Sequence, residues 1–436
     1  MDLTILVYPL LAILLFWGAK LAKRGEFFDD YTSLKTAKYI QGFAAVGVII
    51  HHLAQRFSNF AAIQMPLTFF NDMGFYLVSI FFFFSGLGLI KSLLEKEDYL
   101  DGFLWKRLIT LLVPFYLINL TYILANILIG HQPYPLGHFL SDLLGVTLVT
   151  GDGWYPVTAT LLYIEFYFLF KPVKTKWIGF TALVVFVFSY LVFLVTGFTW
   201  YPMIAVGLYI AFYLLFRFVK KEWVSYAALS AFVVGYCAFV ILMRHGDGSR
   251  LFQGEWWCNS TPAFVLGMLW ARFEKPITNF AKKNYAWLTP LSLVLAVGGW
   301  FVNIYALNNI SYWMEYPGHP GYVEKFTCLG IQAIAAPLFV IAVLLIGMKL
   351  KVGNKALAFL GGLTLEIYLI QRHFISLFYD MRLIRNEFLC TLAVIACSIL
   401  AAWLIHLLCG LLKKPLLAKA KKESPAVTLT ASDTNQ

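Results

Sequence analysis

Thirteen apolar stretches follow one another along the chain, at residues 3–19, 39–57, 73–94, 107–130, 154–171, 177–196, 199–218, 223–243, 258–273, 286–307, 326–348, 357–378 and 388–412. Most approach the roughly 20 residues that a helix needs to cross the hydrocarbon core of a bilayer. The stretch at 258–273 is short and carries Pro262 and Arg272, which suits a re-entrant segment. Pro114 and Pro337 fall inside two others, where neighbouring helices must satisfy the freed backbone groups. Composition agrees, since 60% of residues are hydrophobic and 13% charged, about half the charge of a soluble domain. The expected fold is all-α, a polytopic transmembrane helical bundle of about thirteen spans.

The basic residues test that count. If every stretch spans, the connecting segments alternate between two sides, and 27 of the 34 Lys and Arg fall on one side. Positive residues mark cytoplasmic loops, so the N-terminus is expected outside and the C-terminus inside. The net charge of +11 is therefore a topology signal with some attraction to anionic headgroups, and no nucleic-acid partner is expected. The first stretch has no basic residue before it and Lys20, Lys23 and Arg24 after it, which reads as a retained helix rather than a secretory signal. Residues 1–32 thus form an additional helix and cytoplasmic linker, 33–412 the main membrane domain, and 413–436 a disordered tail, basic and then polar. The six cysteines have no ligand-like spacing and read as small apolar residues, with no metal site.

Ionisable groups inside lipid are costly and mark function by default. The second stretch carries His51 and His52, with Gln41 eleven residues before His52 on the same face and Lys38 one turn nearer the cytoplasm. Gly42, Ala44, Ala45 and Gly47 keep that helix thin, so that helices or a ligand can approach closely. Taken alone, the two histidines read as hydrogen-bonded core. Ser85 interrupts the Phe81–Phe84 run, and Arg107 follows Lys106 at the mouth of the fourth stretch, either as an anchor or as a phosphate ligand. Glu165 lies at mid-depth in the fifth stretch, where it orients a histidine, holds a cation or makes a structural hydrogen bond. In the twelfth, Thr364, Tyr368 and Gln371 share one stripe, and Glu366 and His373 lie on the other side. A helix polar on two sides belongs centrally in the bundle. His406 reads as core. Aromatic-rich outer segments at 153–155, 254–257 and 308–322 suit interfacial belts, the last also a sugar-stacking surface.

These motifs together resemble the bacterial integral-membrane acyltransferase family 3, across about residues 33–412. Gln41 to His52 is similar to that family's Arg, ten residues, then His. Phe-Phe-Ser85-Gly86 resembles its FF-x-SG element. Arg107 before Pro114-Phe115-Tyr116 resembles its basic pair, and Gly361 to Leu369 its late G-x-x-S-x-x-I-Y-L element. Gln41 replaces the family Arg, only one Arg of the pair is present with Lys106 beside it, and Gln371 stands where a His often follows.

The resemblance implies O-acylation of a surface glycan or glycolipid, with acyl-CoA (acetyl-CoA) as co-substrate and His52 as general base. His51 is its catalytic neighbour. Lys38, Gln41, Lys106 and Arg107 are expected at the donor phosphates. The implied partners are a glycan or lipid-linked sugar acceptor and the bilayer, in a multi-pass bacterial plasma-membrane protein. The alternative class is a transporter, flippase or polymerase of a surface-glycan precursor, in which the same polar groups line a pathway.

Overall fold

The structure is a computed structural model that describes residues 2–58, 65–171, 223–242, 257–310 and 322–423. The expected spans at 177–196 and 199–218 lie outside the described residues, as do residues 424–436. The helices in order are α1 (Val7–Phe16), α2 (Leu34–Phe57), α3 (Gly74–Glu95), α4 (Phe103–Leu128), α5 (Leu136–Leu144), α6 (Trp154–Phe170), α7 (Trp223–Leu242) and α8 (Trp257–Ser260). They continue with α9 (Pro262–Arg272), α10 (Glu274–Lys283), α11 (Tyr285–Asn309), α12 (Tyr322–Gly347), α13 (Lys355–Gly362), α14 (Thr364–Ile375) and α15 (Glu387–Glu423).

Among the described residues, five helices are long and apolar enough to cross a membrane: α3, α4, α11, the 327–347 part of α12, and the 387–418 part of α15. Burial tells which of them face lipid. In α3 most of the apolar window is buried, whereas α11 exposes Leu291, Val294, Val297, Phe301 and Tyr305, and α15 exposes Leu400, Leu404, Leu407 and Leu411. Apolar faces that broad are stable only against an apolar solvent.

Several expected boundaries shift. The first apolar helix ends at Phe16, short of residue 19, because Trp17 is extended and Gly18 takes φ +76. Residues 258–273 split at Thr261–Pro262 into α8 and α9, because a proline has no N–H to continue the first turn. The stretch 357–378 breaks at Leu363 between α13 and α14 and ends in a π turn at Ser376–Asp380. At the other terminus α15 runs on to Glu423, so residues 413–423 are helical rather than part of a disordered tail. One element absent from the all-α expectation is a two-stranded antiparallel pair, Lys20–Leu21 (β1) with Leu350–Lys351 (β2).

That pair belongs to one end of the bundle, where four of the lysine-rich segments meet. Lys91 Nζ lies 2.7 Å from Glu274 Oε1, Lys282 Nζ 2.5 Å from Asp29 Oδ1, and Lys351 pairs with Asp30. Other connecting segments meet elsewhere: Tyr8 donates to the Pro66 carbonyl at 2.7 Å and Tyr379 to that of Arg56 at 3.0 Å.

Close crossings hold the core together. A Cβ at Gly42 would sit 2.5 Å from the Leu357 carbonyl oxygen and 2.8 Å from Gly361 N, and one at Gly361 would strike the Lys38 carbonyl. The small residues of α2 therefore admit α13 at backbone contact. Gly86 of α3 and Gly267 of α9 make the same kind of crossing, each against the other helix's carbonyls. Gly86, next to Ser85, is thus a packing point.

Candidate active site

The end of α2 is built by its start. Ser33 caps the helix by accepting from Thr36 N, and the Thr36 hydroxyl donates to the Asp30 carbonyl at 2.8 Å. From that cap the helix runs unbroken to His51 and His52. Adjacent helical residues diverge by about 100°, and the two rings have different surroundings. His51 Nδ1 lies 2.8 Å from the Phe70 carbonyl, and its ring lies against Gly74 at the start of α3, where even a methyl group would collide. It ties the 65–74 segment to α2.

His52 turns the other way. Its Nε2 is 3.4 Å from Asp152 Oδ1, and the other oxygen of that carboxylate is 2.8 Å from Arg372 Nε. Asp152 sits in a single 3-10 turn, Gly151–Gly153, where the chain enters α6, and Arg372 lies in the last turn of α14. Three elements distant in sequence therefore converge on one carboxylate. Its side chain is 2% exposed, against 15% for His52 and 35% for Arg372. Asp152 is sealed, while both of its partners are reachable. Burial pushes its carboxyl up, but the Arg372 guanidinium and His52 pull it down further, to about 2. Asp152 is ionised at any physiological pH. The 3.4 Å separation is longer than a settled N–H···O bond; catalytic hydrogen bonds often tighten only when substrate binds.

α14 is central, packing against α2, α4, α15 and the Gly151–Gly153 turn. One polar side pairs Glu366 Oε1 with His406 Nδ1 at 2.8 Å, so His406 is a partner and not isolated core. His373 stacks on Tyr122 at 3.6 Å between centroids and meets the Thr121 hydroxyl at 2.9 Å, while Tyr122 donates to the Leu369 carbonyl at 2.9 Å. Gln371 is fully buried and donates to the Tyr368 carbonyl, and Tyr368 lies 5.6 Å from Tyr155.

The other expected groups lie apart from His52. Arg107 donates to the Tyr99 hydroxyl at 2.8 Å and lies over the rings of Phe103 and Tyr163 at 5.9 Å each. The Tyr163 hydroxyl meets that of Ser85 at 2.9 Å. A cavity of about 510 Å³ is lined there by Lys96, Lys106 and Arg107, with Glu97, Asp98, Tyr99, Phe103 and Thr110. Lys106 and Arg107 thus share one basic pocket. Lys38, exposed, and Gln41, half-buried, stand on α2 and do not line it. Glu165 is half-buried on α6, with no hydrogen-bond or ion-pair partner among the described residues.

Sequence reasoning missed Asp152 altogether and gave Arg372 no task. The signal for Asp152 was present: an acid bracketed by glycines, directly ahead of an apolar helix. A histidine held by a buried carboxylate can accept a proton from a hydroxyl, since the carboxylate fixes the ring and stabilises the imidazolium that results.

The model of an acyltransferase domain matches the chain over residues 36–208 and 193–407. No curated protein sequence and no solved structure matches it. The two matched stretches together span most of the chain, from just inside α2 into α15, and the protein belongs to acyltransferase family 3 and is an acyltransferase enzyme.

Proposed function

We propose that this acyltransferase is a multi-pass protein of the bacterial plasma membrane that moves an acyl (acetyl) group from cytoplasmic acyl-CoA to a hydroxyl of a cell-surface glycan or glycolipid. The observation that carries the reading is the His52–Asp152 contact at 3.4 Å, at the end of α2 far from its lysine-bearing start. Gln41 and His52 are about 16 Å apart along the helix axis, so a long donor can keep its anionic head near the basic end and its acyl carbon near His52. Lys106 and Arg107, in their basic pocket, are suited to the donor phosphates. The segregation of lysines at that end supports a cytoplasmic assignment for it, with the N-terminus outside and the C-terminus inside.

In the reaction His52 Nε2–H donates to Asp152, and the Nδ1 lone pair takes the proton of the acceptor hydroxyl as its oxygen attacks the thioester carbon. Collapse expels the thiolate, which recovers the proton from His52. Asp152 does not react; it sets the ring orientation and balances the imidazolium. The test is release of CoA from acetyl-CoA by the purified protein in detergent. The wild type is expected to release CoA and His52→Ala to lose 10²–10⁴-fold. Donor that binds without cleavage in the wild type would refute the reading and favour a transport role.

A further inference from the structure

Arg372 is the one charged group at this centre that the proposed reaction leaves without a chemical task. A guanidinium carries five N–H donors in a planar fork. Here Nε is buried 2.8 Å from Asp152 Oδ2, an ion pair without hydrogen-bond geometry, and no described residue accepts a hydrogen bond from the side chain. Nη2 lies over Gly151, which has no side chain to cover it. Nε is sealed beside Asp152, while the side chain as a whole is 35% exposed. The guanidinium stands beside a carboxylate whose other oxygen faces His52. A cation needed only to neutralise Asp152 would have no use for reachable donors at the place where a base meets its substrate.

We propose that Arg372 is a catalytic residue whose terminal Nη–H groups hold the acyl carbonyl oxygen as it becomes an oxyanion, an inference that rests on the acyl-transfer reading above. The acceptor O–H adds to the thioester carbonyl: the C–O bond forms, the carbonyl π pair moves onto oxygen, and His52 takes the proton. The negative oxygen sits against the Nη donors. The pair then returns to re-form C=O, the C–S bond breaks, and the thiolate sulfur takes the proton from His52. Ester and free thiol are the products, and both the arginine and the histidine end as they began. Donors already aimed at developing charge in a site shielded from water act mainly on the transition state.

The experiment measures kcat and KM for CoA release from acetyl-CoA, with water as acceptor, for the wild type, His52→Ala, Arg372→Lys and Arg372→Ala. Arg372→Lys keeps a cation on Asp152 but loses the fork. Its kcat is expected to fall about 10²-fold with KM unchanged and with thermal stability near wild type. Added methylguanidinium is expected to restore part of the kcat of Arg372→Ala. A kcat within threefold of wild type in Arg372→Lys, or a loss confined to KM, overturns the proposal while leaving the acyl-transfer reading intact. If Arg372→Lys does not fold, the guanidinium rescue decides, and its absence overturns the proposal. A wild type without His52-dependent CoA release overturns both readings.

Discussion

Asp152→Asn separates what the buried carboxylate does for the fold from what it does for the chemistry. The substitution keeps shape and removes one charge, leaving Arg372 beside a neutral amide. Breaking a fully buried ion pair by deleting one partner costs about 3–5 kcal/mol. Asp152 is sealed, but Arg372 is about a third exposed, and water can solvate part of the orphaned charge. A loss of about 1–3 kcal/mol is therefore expected, on the order of 2–5 °C in melting temperature for a chain of this size. Activity should fall much further, since an orienting carboxylate changed to an amide costs about 10⁴ in the serine-protease triad. In Asp152→Asn/Arg372→Gln no charge is left unpaired. Stability should return to within about 1 kcal/mol of wild type, and activity should stay lost. Thermal unfolding followed by gel filtration in detergent reads the first quantity, CoA release from acetyl-CoA the second. A double variant no more stable than Asp152→Asn would refute the ion pair. Activity within tenfold of wild type in Asp152→Asn would refute the positioning of His52.

Five other outcomes are expected. His51→Ala should cost about 1–3 kcal/mol, because the Phe70 carbonyl loses its partner, yet keep measurable CoA release; complete loss in a folded variant would reassign the base. Gly267→Ala should destabilise by about 1–3 kcal/mol or more, its methyl meeting the Phe83 carbonyl and, at 2.9 Å, Leu87 N. Gly88→Ala, whose methyl meets nothing within 4 Å, should be neutral or stabilising by about 0.5–1 kcal/mol. In thiol-labelling of intact cells, Gln132→Cys should react with an impermeant reagent and Lys283→Cys only after permeabilisation; the reverse pattern would invert the topology. Asp152 has a folded-state value below its ordinary one, so its contribution is full above the carboxylate range and is lost as pH falls from 3.8 to about 2. A melting temperature that falls between pH 7 and 5 in the wild type but not in Asp152→Asn would contradict that assignment.

What the sequence made legible follows from the length scale of each signal. Spanning stretches are written over tens of residues, so the helical bundle could be read directly. Helix-face arguments also held over short distances. The small residues of α2 predicted a close approach, and α13 makes it at Gly42. The two polar sides of α14 predicted a central helix, and partners lie on both, Glu366 with His406 and His373 with Tyr122 on one, Tyr368 with Tyr155 on the other.

Breaks inside apolar runs were harder to read, because hydropathy is indifferent to them. Nothing apolar distinguishes Leu363, where the expected twelfth span divides. Hardest was the partner of His52. A pairing across about a hundred residues leaves no local pattern, and Asp152 lay in a connection read for its aromatic neighbours. Yet the energetics made a partner of this kind a reasonable demand: a histidine that works as a base near lipid needs a group to fix its ring, and in that setting a carboxylate needs a cation in turn. Arg372 is one of the few charges within an apolar stretch. Charge balance followed inward from Arg372, rather than outward from each motif, leads to a missing acid. Gly-Asp-Gly at the mouth of α6 is where the chain supplies one.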